Sequence, residues 1–212
     1  MSNLHQDQEL DQRVLVAGTG PVGLIAALAF ADAGFKVSLV GPEANLQDGR
    51  TTALMNPALA MLDRLGVLKP LAHKAAPLKI MRIIDATSRL IRSPVVTFRA
   101  SEIDEHRFGL NMPNAVLNQT LSETVASQPA IEWNKSLVSS WRLEADRAVA
   151  VLSEGAELHA QLAVAADGRL SQAREAAGIA VSTRTYPQAA LVLNFAHSSN
   201  HAFTSTEFHT ET

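Results

Sequence analysis

The sequence predicts an α/β fold: a Rossmann-like dinucleotide-binding domain with an inserted β-meander and part of a second β-sheet domain. Three observations carry this. The segment Gly18-Thr19-Gly20-Pro21-Val22-Gly23 stands between an apolar β-branched run, RVLVAG, and an apolar helical stretch. A second short strand, KVSLV, follows that helix. Further on, short β-rich segments are separated by tight polar turns and close on Asp167-Gly168.

The chain has 212 residues, 47% of them apolar and 18% charged, which is enough to bury a sizeable core. Its net charge is -3 and no dense basic patch appears, which argues against nucleic acid and anionic membrane as electrostatic partners. Cysteine is absent, which excludes disulfides, a thiolate nucleophile and a Cys-ligated metal. Residues 1–12, MSNLHQDQELDQ, are polar and acidic and lack the basic start and apolar core of a secretory signal; they are expected to be a disordered lead. The longest apolar run, GLIAALAFADAGF, is interrupted by Asp32 and too short to span a bilayer.

Residues 13–77 read as the first part of the dinucleotide-binding domain. Gly18 permits a tight turn, Gly20 leaves the backbone bare for a pyrophosphate, and Gly23 lets the helix pack on the strand. The helix, from about Pro21 to Ala33, opens with unpaired N–H groups and its positive dipole end. An acidic ribose ligand is expected at the tip of the second strand, about 20 residues after the glycines. Gly41 stands there instead, and Glu43 two positions on is the candidate to reach the ribose. A further helix is predicted in DGRTTALMNPALAMLDRLG, with Asn56 as N-cap, Pro57 first inside, Gly66 beyond its end, and Leu54, Ala58, Met61, Leu62 and Leu65 on one face.

Residues 78–108 hold LKIMRIIDATSRLIRSPVVTF, which reads as a hairpin-like pair of strands in a different sheet. Residues 109–185 return to the first domain. MPNAVLNQTLSETVASQ is a helix with Asn114 as its expected N-cap and Leu117, Leu121 and Val125 as its buried stripe. IEWNK, LVSSWRLEA, RAVAVLSE and AELHAQLAVAAD then form the meander, with Trp133 and Trp141 packed on it. A short helix follows Asp167-Gly168, capped by Ser171 and stopped by Gly178. Residues 186–212 begin as a strand at YPQAALVLNF and turn polar without an element to close the layer. His197, His201 and His209 lack the Glu of an H-E-x-x-H arrangement, and HSSNH is turn-like; no metal site is expected.

The glycine fingerprint, DGR with its helix, and ADG-x-x-S-x-x-R after a meander resemble the flavoprotein aromatic hydroxylases of the p-hydroxybenzoate hydroxylase fold. RTTALMNPALAMLDRLGVL and FGLNMPNAVLNQTLSETV make the chain most similar, within them, to the ubiquinone-biosynthesis (polyprenyl-phenol) hydroxylases. The resemblance runs from about Arg13 to the end. It implies a Rossmann-like FAD-binding domain with part of a substrate domain, FAD as cofactor, and NAD(P)H as co-substrate. Gly18, Gly20, Pro21, Val22 and Gly23 would line the pyrophosphate. Arg50 and Thr51, in DGRTTAL, would lie near the flavin. Asn114 would face the ribityl chain or serve simply as an N-cap. Asp167 and Gly168 match the family's Asp-Gly pair, and Arg174 either completes that motif or makes a structural ion pair.

The implied reaction is reduction of FAD by NAD(P)H and oxygen-dependent hydroxylation of an electron-rich phenol. The cofactor supplies the chemistry, so no nucleophile or metal constellation is required, and the catalytic residues are not identified. The family's third FAD motif, an acidic GDAAH-like segment, is absent, so the chain is expected to be the N-terminal half of such an enzyme. An inactive flavin-binding fragment and a flavin hydroxylase or reductase of another substrate class are the alternatives. The expected setting is cytoplasmic, peripheral to the inner membrane, with an aromatic substrate and oxygen and no nucleic acid. An apolar edge where the fold would continue favours oligomers or contact with a membrane or quinone-synthesis complex.

Overall fold

The computed structural model describes residues 13–211; the expected disordered lead lies outside the described residues. In chain order the elements are β1 (Arg13–Ala17), α1 (Pro21–Asp32), β2 (Lys36–Val40), β3 (Thr51–Met55), α2 (Asn56–Arg64), α3 (Leu68–Ala72), β4 (Ala76–Leu78), β5 (Ile80–Asp85), β6 (Val96–Arg99), a 3-10 turn (Ala100–Ile103), β7 (Gly109–Pro113), α4 (Asn114–Ala126), β8 (Ile131–Asn134), β9 (Val138–Leu143), β10 (Ala148–Leu152), β11 (Glu157–Ala160), β12 (Leu162–Ala165), α5 (Gln172–Ala176) and β13 (Thr204–His209). The chain divides into two compact units. One comprises the chain up to Gln47 with Leu117–Leu191; the other comprises Asp48–Val116 and the chain from Val192 on.

In the first unit a parallel sheet runs in the order β12-β1-β2-β8, with the central strands β1 and β2 buried on both faces and the edge strands β12 and β8 partly exposed. Leu15, Val16 and Leu39 are wholly buried in it. Helix α1 lies on the sheet through Leu24, Ala27 and Leu28. The meander β9-β10-β11 is antiparallel. Ala150, Leu152 and Ala160 from it close with Leu15 and Val40 into one core, against which Trp141 and Leu158 pack. Each buried leucine or valine there contributes roughly 1.5–3 kcal/mol.

Two segments sit differently from the sequence reading. IEWNK does not begin the meander: β8 pairs in parallel with β2, Val37 opposite Ile131 through Val40 opposite Asn134. The parallel wind therefore resumes once α4, with Leu117, Leu121 and Val125 buried as predicted, has returned the chain to the sheet. AELHAQLAVAAD is two strands. β11 completes the meander, and after Gln161 the chain changes sheet so that β12 pairs in parallel with β1. Strands of four residues are too short for alternation to reveal that break.

In the second unit, β3-β7-β4 is one antiparallel sheet. The predicted hairpin forms a different sheet: β5 pairs with β6 antiparallel, and β13 adds to β5 in parallel. The N-cap of α2 is Met55, one residue earlier than expected. Asn56 instead donates through Nδ2 to the Arg107 carbonyl at 2.8 Å. The buried face of α2 is Leu59, Leu62 and Leu65, and Ala58 is exposed. The strand predicted at YPQAALVLNF is absent; ladder pairing begins at Thr204. Among the described residues no strand lies beside that segment, and Leu193 and Phe195 are 65% and 78% exposed. β-propensity without a pairing partner does not make a strand.

Two carboxylates hold the β5–β6 connection: Glu211 accepts from the Ser88 amide and hydroxyl, and Asp85 ties its two ends together. Asp85 accepts from the Thr87 hydroxyl at 2.7 Å, the Thr87 amide at 3.1 Å and the Ser93 amide at 2.9 Å. The Thr87 hydroxyl, then the two amides, lower its pKa to about 2. Because this folded value lies below the unfolded one of about 3.9, the stabilisation is full above that value and lost as pH falls toward about 2. Amide exchange at Thr87 and Ser93 is therefore expected to lose protection across that window and to be unprotected throughout in Asp85→Ala; equal protection in both proteins contradicts the tie.

Candidate functional site

The first unit carries a cleft of about 460 Å³ at the carboxyl ends of its parallel strands. Its floor is the β1–α1 turn, Ala17 to Gly20; Gly41 and Pro42 after β2, Leu137 and Val138 at the start of β9, and Asp167 and Gly168 after β12 form its walls. This is the topological switch of an open parallel sheet: the chain runs from β1 outward to β2 and β8 on one side and returns to β12 on the other side of β1.

The glycines serve different purposes. A Cβ on Gly18 would stand 2.1 Å from the Ala166 carbonyl oxygen, and φ there is +113°. A Cβ on Gly23 would stand 1.9 Å from the Gly18 carbonyl oxygen. Both are required by the protein's own packing. Among the described residues nothing requires Gly20: no atom lies within 4 Å of its Cβ position, and its backbone is extended at φ -70°. It is the N-cap of α1, no side chain caps that end, and the first turn carries no acid. The early N–H groups of α1 and its positive dipole end therefore stand uncompensated beside bare backbone. Pro21 opens the helix, and Val22, 72% exposed, follows it.

Sequence reasoning missed several walls of the cleft. Thr19 is buried and donates from Oγ1 to the Pro42 carbonyl at 2.5 Å, fastening the two loops together. Gly41 has φ +149°, and a Cβ there would meet Thr19 Oγ1 at 2.7 Å. That contact gives a steric reason for glycine at the position where an acid was expected. Glu43 does not line this cleft. Its carboxylate pairs with Lys135, which lowers its pKa by hydrogen bonding and then by charge. Lys135 also sits over the Trp133 ring, whose Nε1 donates to the Gly41 carbonyl.

Asp167 accepts from the Ala173 amide at 3.2 Å through Oδ2, while its Oδ1 is buried with no partner among the described residues. Ser171 caps α5, accepting from the Arg174 amide as predicted. Arg174 makes no ion pair among the described residues; its guanidinium donates to the Arg169 carbonyl. Among the described residues no three His, Asp or Glu side chains group as metal ligands.

Arg50, Thr51 and Asn114 belong to the second unit. Register places Thr51 opposite Pro113, and the Asn114 amide donates to the Arg50 carbonyl at 2.9 Å. The Asn114 side chain does not serve as a helix cap. It accepts from Thr52 Oγ1 at 2.5 Å and donates to Asp48 Oδ2 at 2.9 Å. Asp48, also missed, accepts from the Arg50 Nε and Nη2 at 2.8 and 2.7 Å and from its amide at 3.1 Å.

Fold and cleft together define a Rossmann-type dinucleotide-binding domain. Residues 11–210 match the model of the FAD binding domain family, so the chain belongs to that family and FAD is its dinucleotide. The ubiquinone hydroxylase UbiL of Rhodospirillum rubrum is 32% identical over 195 residues, covering 89% of this chain and 44% of that protein. The ubiquinone hydroxylase UbiM of Neisseria meningitidis is 28% identical, covering 98% of this chain and 46% of that protein. The chain thus spans about half the length of these relatives. The crystal structure of p-nitrophenol 4-monooxygenase PnpA from Pseudomonas putida has the same fold, with a TM-score of 0.69 at 24% identity over 83% of this chain and 46% of that one. The resemblance to flavoprotein hydroxylases read from the sequence agrees with these matches.

The glycine contacts yield a stability prediction. Gly23→Ala forces the β1–α1 turn apart and is expected to cost roughly 1–3 kcal/mol, as overpacking does. Thermal unfolding of the two proteins measures it; an unchanged midpoint contradicts the contact.

Proposed function

We propose that this chain forms the FAD-binding part of an NAD(P)H-using monooxygenase that hydroxylates the ring of a polyprenyl phenol in ubiquinone synthesis. The observation that carries the cofactor site is Gly20, bare where the protein's own packing does not ask for glycine, at the open N-terminus of α1. A pyrophosphate there would accept from the early N–H groups and sit in the positive end of the helix field. The names of the relatives support the substrate class.

In this reading Gly18, Gly20, Pro21, Val22 and Gly23 surround the pyrophosphate. Gly168 closes the cleft, and Asp167 Oδ1, buried and unpartnered, accepts from a cofactor hydroxyl; a carboxylate suits a hydroxyl and repels a phosphate. Glu43 reaches a ribose on releasing Lys135. Arg50, Thr51 and Asn114 serve the flavin end. FAD, when bound, supplies the electron transfer and oxygen activation; the chain binds it, orients it and excludes water. Among the described residues no helix is long and apolar enough to cross a membrane. The exposed Leu191, Leu193 and Phe195 suit peripheral contact with a lipid surface or association with another protein.

Two outcomes are expected. Gly20→Ala should weaken FAD binding at least about tenfold, because its methyl group occupies the phosphate approach, while altering stability by less than about 1 kcal/mol. Equal affinity in titrations of both proteins contradicts the cradle. The monooxygenase of which this chain forms the FAD-binding part, incubated with FAD, NADH, oxygen and a polyprenyl phenol, should give a product one oxygen heavier. Unchanged phenol with flavin bound contradicts the activity and leaves the cofactor site standing.

A further inference from the structure

We propose that Asp48 is a positioning residue: one carboxylate fixes both the Arg50 guanidinium and the Asn114 amide in the orientation they present to the flavin. This rests on the reading above, in which Arg50 and Asn114 serve the flavin end.

The geometry is specific. Arg50 and Asp48 meet fork to fork, Nε on Oδ1 and Nη2 on Oδ2. Such a pair fixes the guanidinium plane as well as its position. The Arg50 amide donates to the same Oδ1, so the two residues form a closed local turn. Oδ2 receives a further bond from Asn114 Nδ2, and Thr52 Oγ1 donates to Asn114 Oδ1. That pair of bonds sets which way the amide points: its oxygen toward Thr52, its nitrogen toward Asp48. The carboxylate is shielded and the arginine is not; their side chains are 15% and 69% exposed. Among the described residues no group takes Arg50 Nη1, which leaves one edge of the fork as a donor held in place.

A salt bridge between two exposed ends would be an ordinary surface pair. Here the acid is inside the cluster and touches both candidate flavin-facing residues, so its removal frees a long side chain and an amide at once. The Arg50 guanidinium, then Asn114, hold the Asp48 carboxyl well below the usual carboxylate range.

The test is a double-mutant cycle in FAD affinity, read by quenching of flavin fluorescence on the full chain. Asp48→Ala is expected to weaken binding about tenfold, the loss typical of a charge-assisted hydrogen-bond network. In the Arg50→Ala background it should cost little more, because there is no guanidinium left to position. The visible spectrum of bound flavin should shift in Asp48→Asn, which keeps the side chain's shape and removes its charge. If Asp48→Ala melts before FAD is added, Asp48→Asn replaces it in the cycle. Additive losses in the two backgrounds, or unchanged affinity and spectrum in Asp48→Asn, overturn the proposal. Absence of FAD binding by the unmodified chain overturns instead the reading on which it rests.

Discussion

The first unit depends on one close approach: the β1–α1 turn lies directly against the end of β12. The Ala166 amide donates to the Ala17 carbonyl at 2.7 Å, and the Gly18 amide donates to the Val40 carbonyl at 2.8 Å. With strands on both sides at this separation, a side chain at Gly18 would enter the Ala166 peptide, and one at Gly23 would enter Gly18. Two glycines are thus the condition for three parallel strands and a helix to converge on one point. The helix start is bare for a separate reason: its N-cap is Gly20, whose Cβ position is open. Structural necessity and an open helix start thus come from neighbouring glycines.

The third glycine separates the two. Gly20 has an ordinary backbone conformation and empty space at its Cβ, so the fold alone does not explain it. In the proposed reading an approaching phosphate would explain it, and membership of the FAD binding domain family names the dinucleotide that would bring it. The loop after β2 is shaped by the same crowding. Thr19 ties to Pro42 and occupies the volume that a side chain at Gly41 would need. Loss of the acidic residue there and the buried Thr19 hydroxyl are two sides of one contact.

Much of this was legible in the sequence. The strand–turn–helix–strand unit, the buried stripe of α4, the Ser171 cap and the hairpin in another sheet all follow from period, caps and glycine spacing. What was not legible depended on partners distant in sequence. IEWNK and LAVA became parallel strands because β2 and β1 offered edges, which no local pattern announces. YPQAALVLNF has strand composition and no neighbour. Asp48 lay within the quoted DGR segment, yet its importance appears only when Asn114, 66 residues away, is seen to donate to it. Of the two readings of Asn114, ribityl-facing residue or N-cap, the cap does not hold: its side chain turns to the β3 side of the second unit.

The central claim is that the cleft at Gly18–Gly23 is an FAD cradle. The measurement that tests it most directly is a visible-absorption titration of the purified chain with FAD, repeated with NAD present in excess. The account predicts saturable binding of one FAD per chain, with a resolved flavin band and no displacement by NAD. A spectrum identical to free flavin at every ratio, or a band removed by NAD, would contradict it.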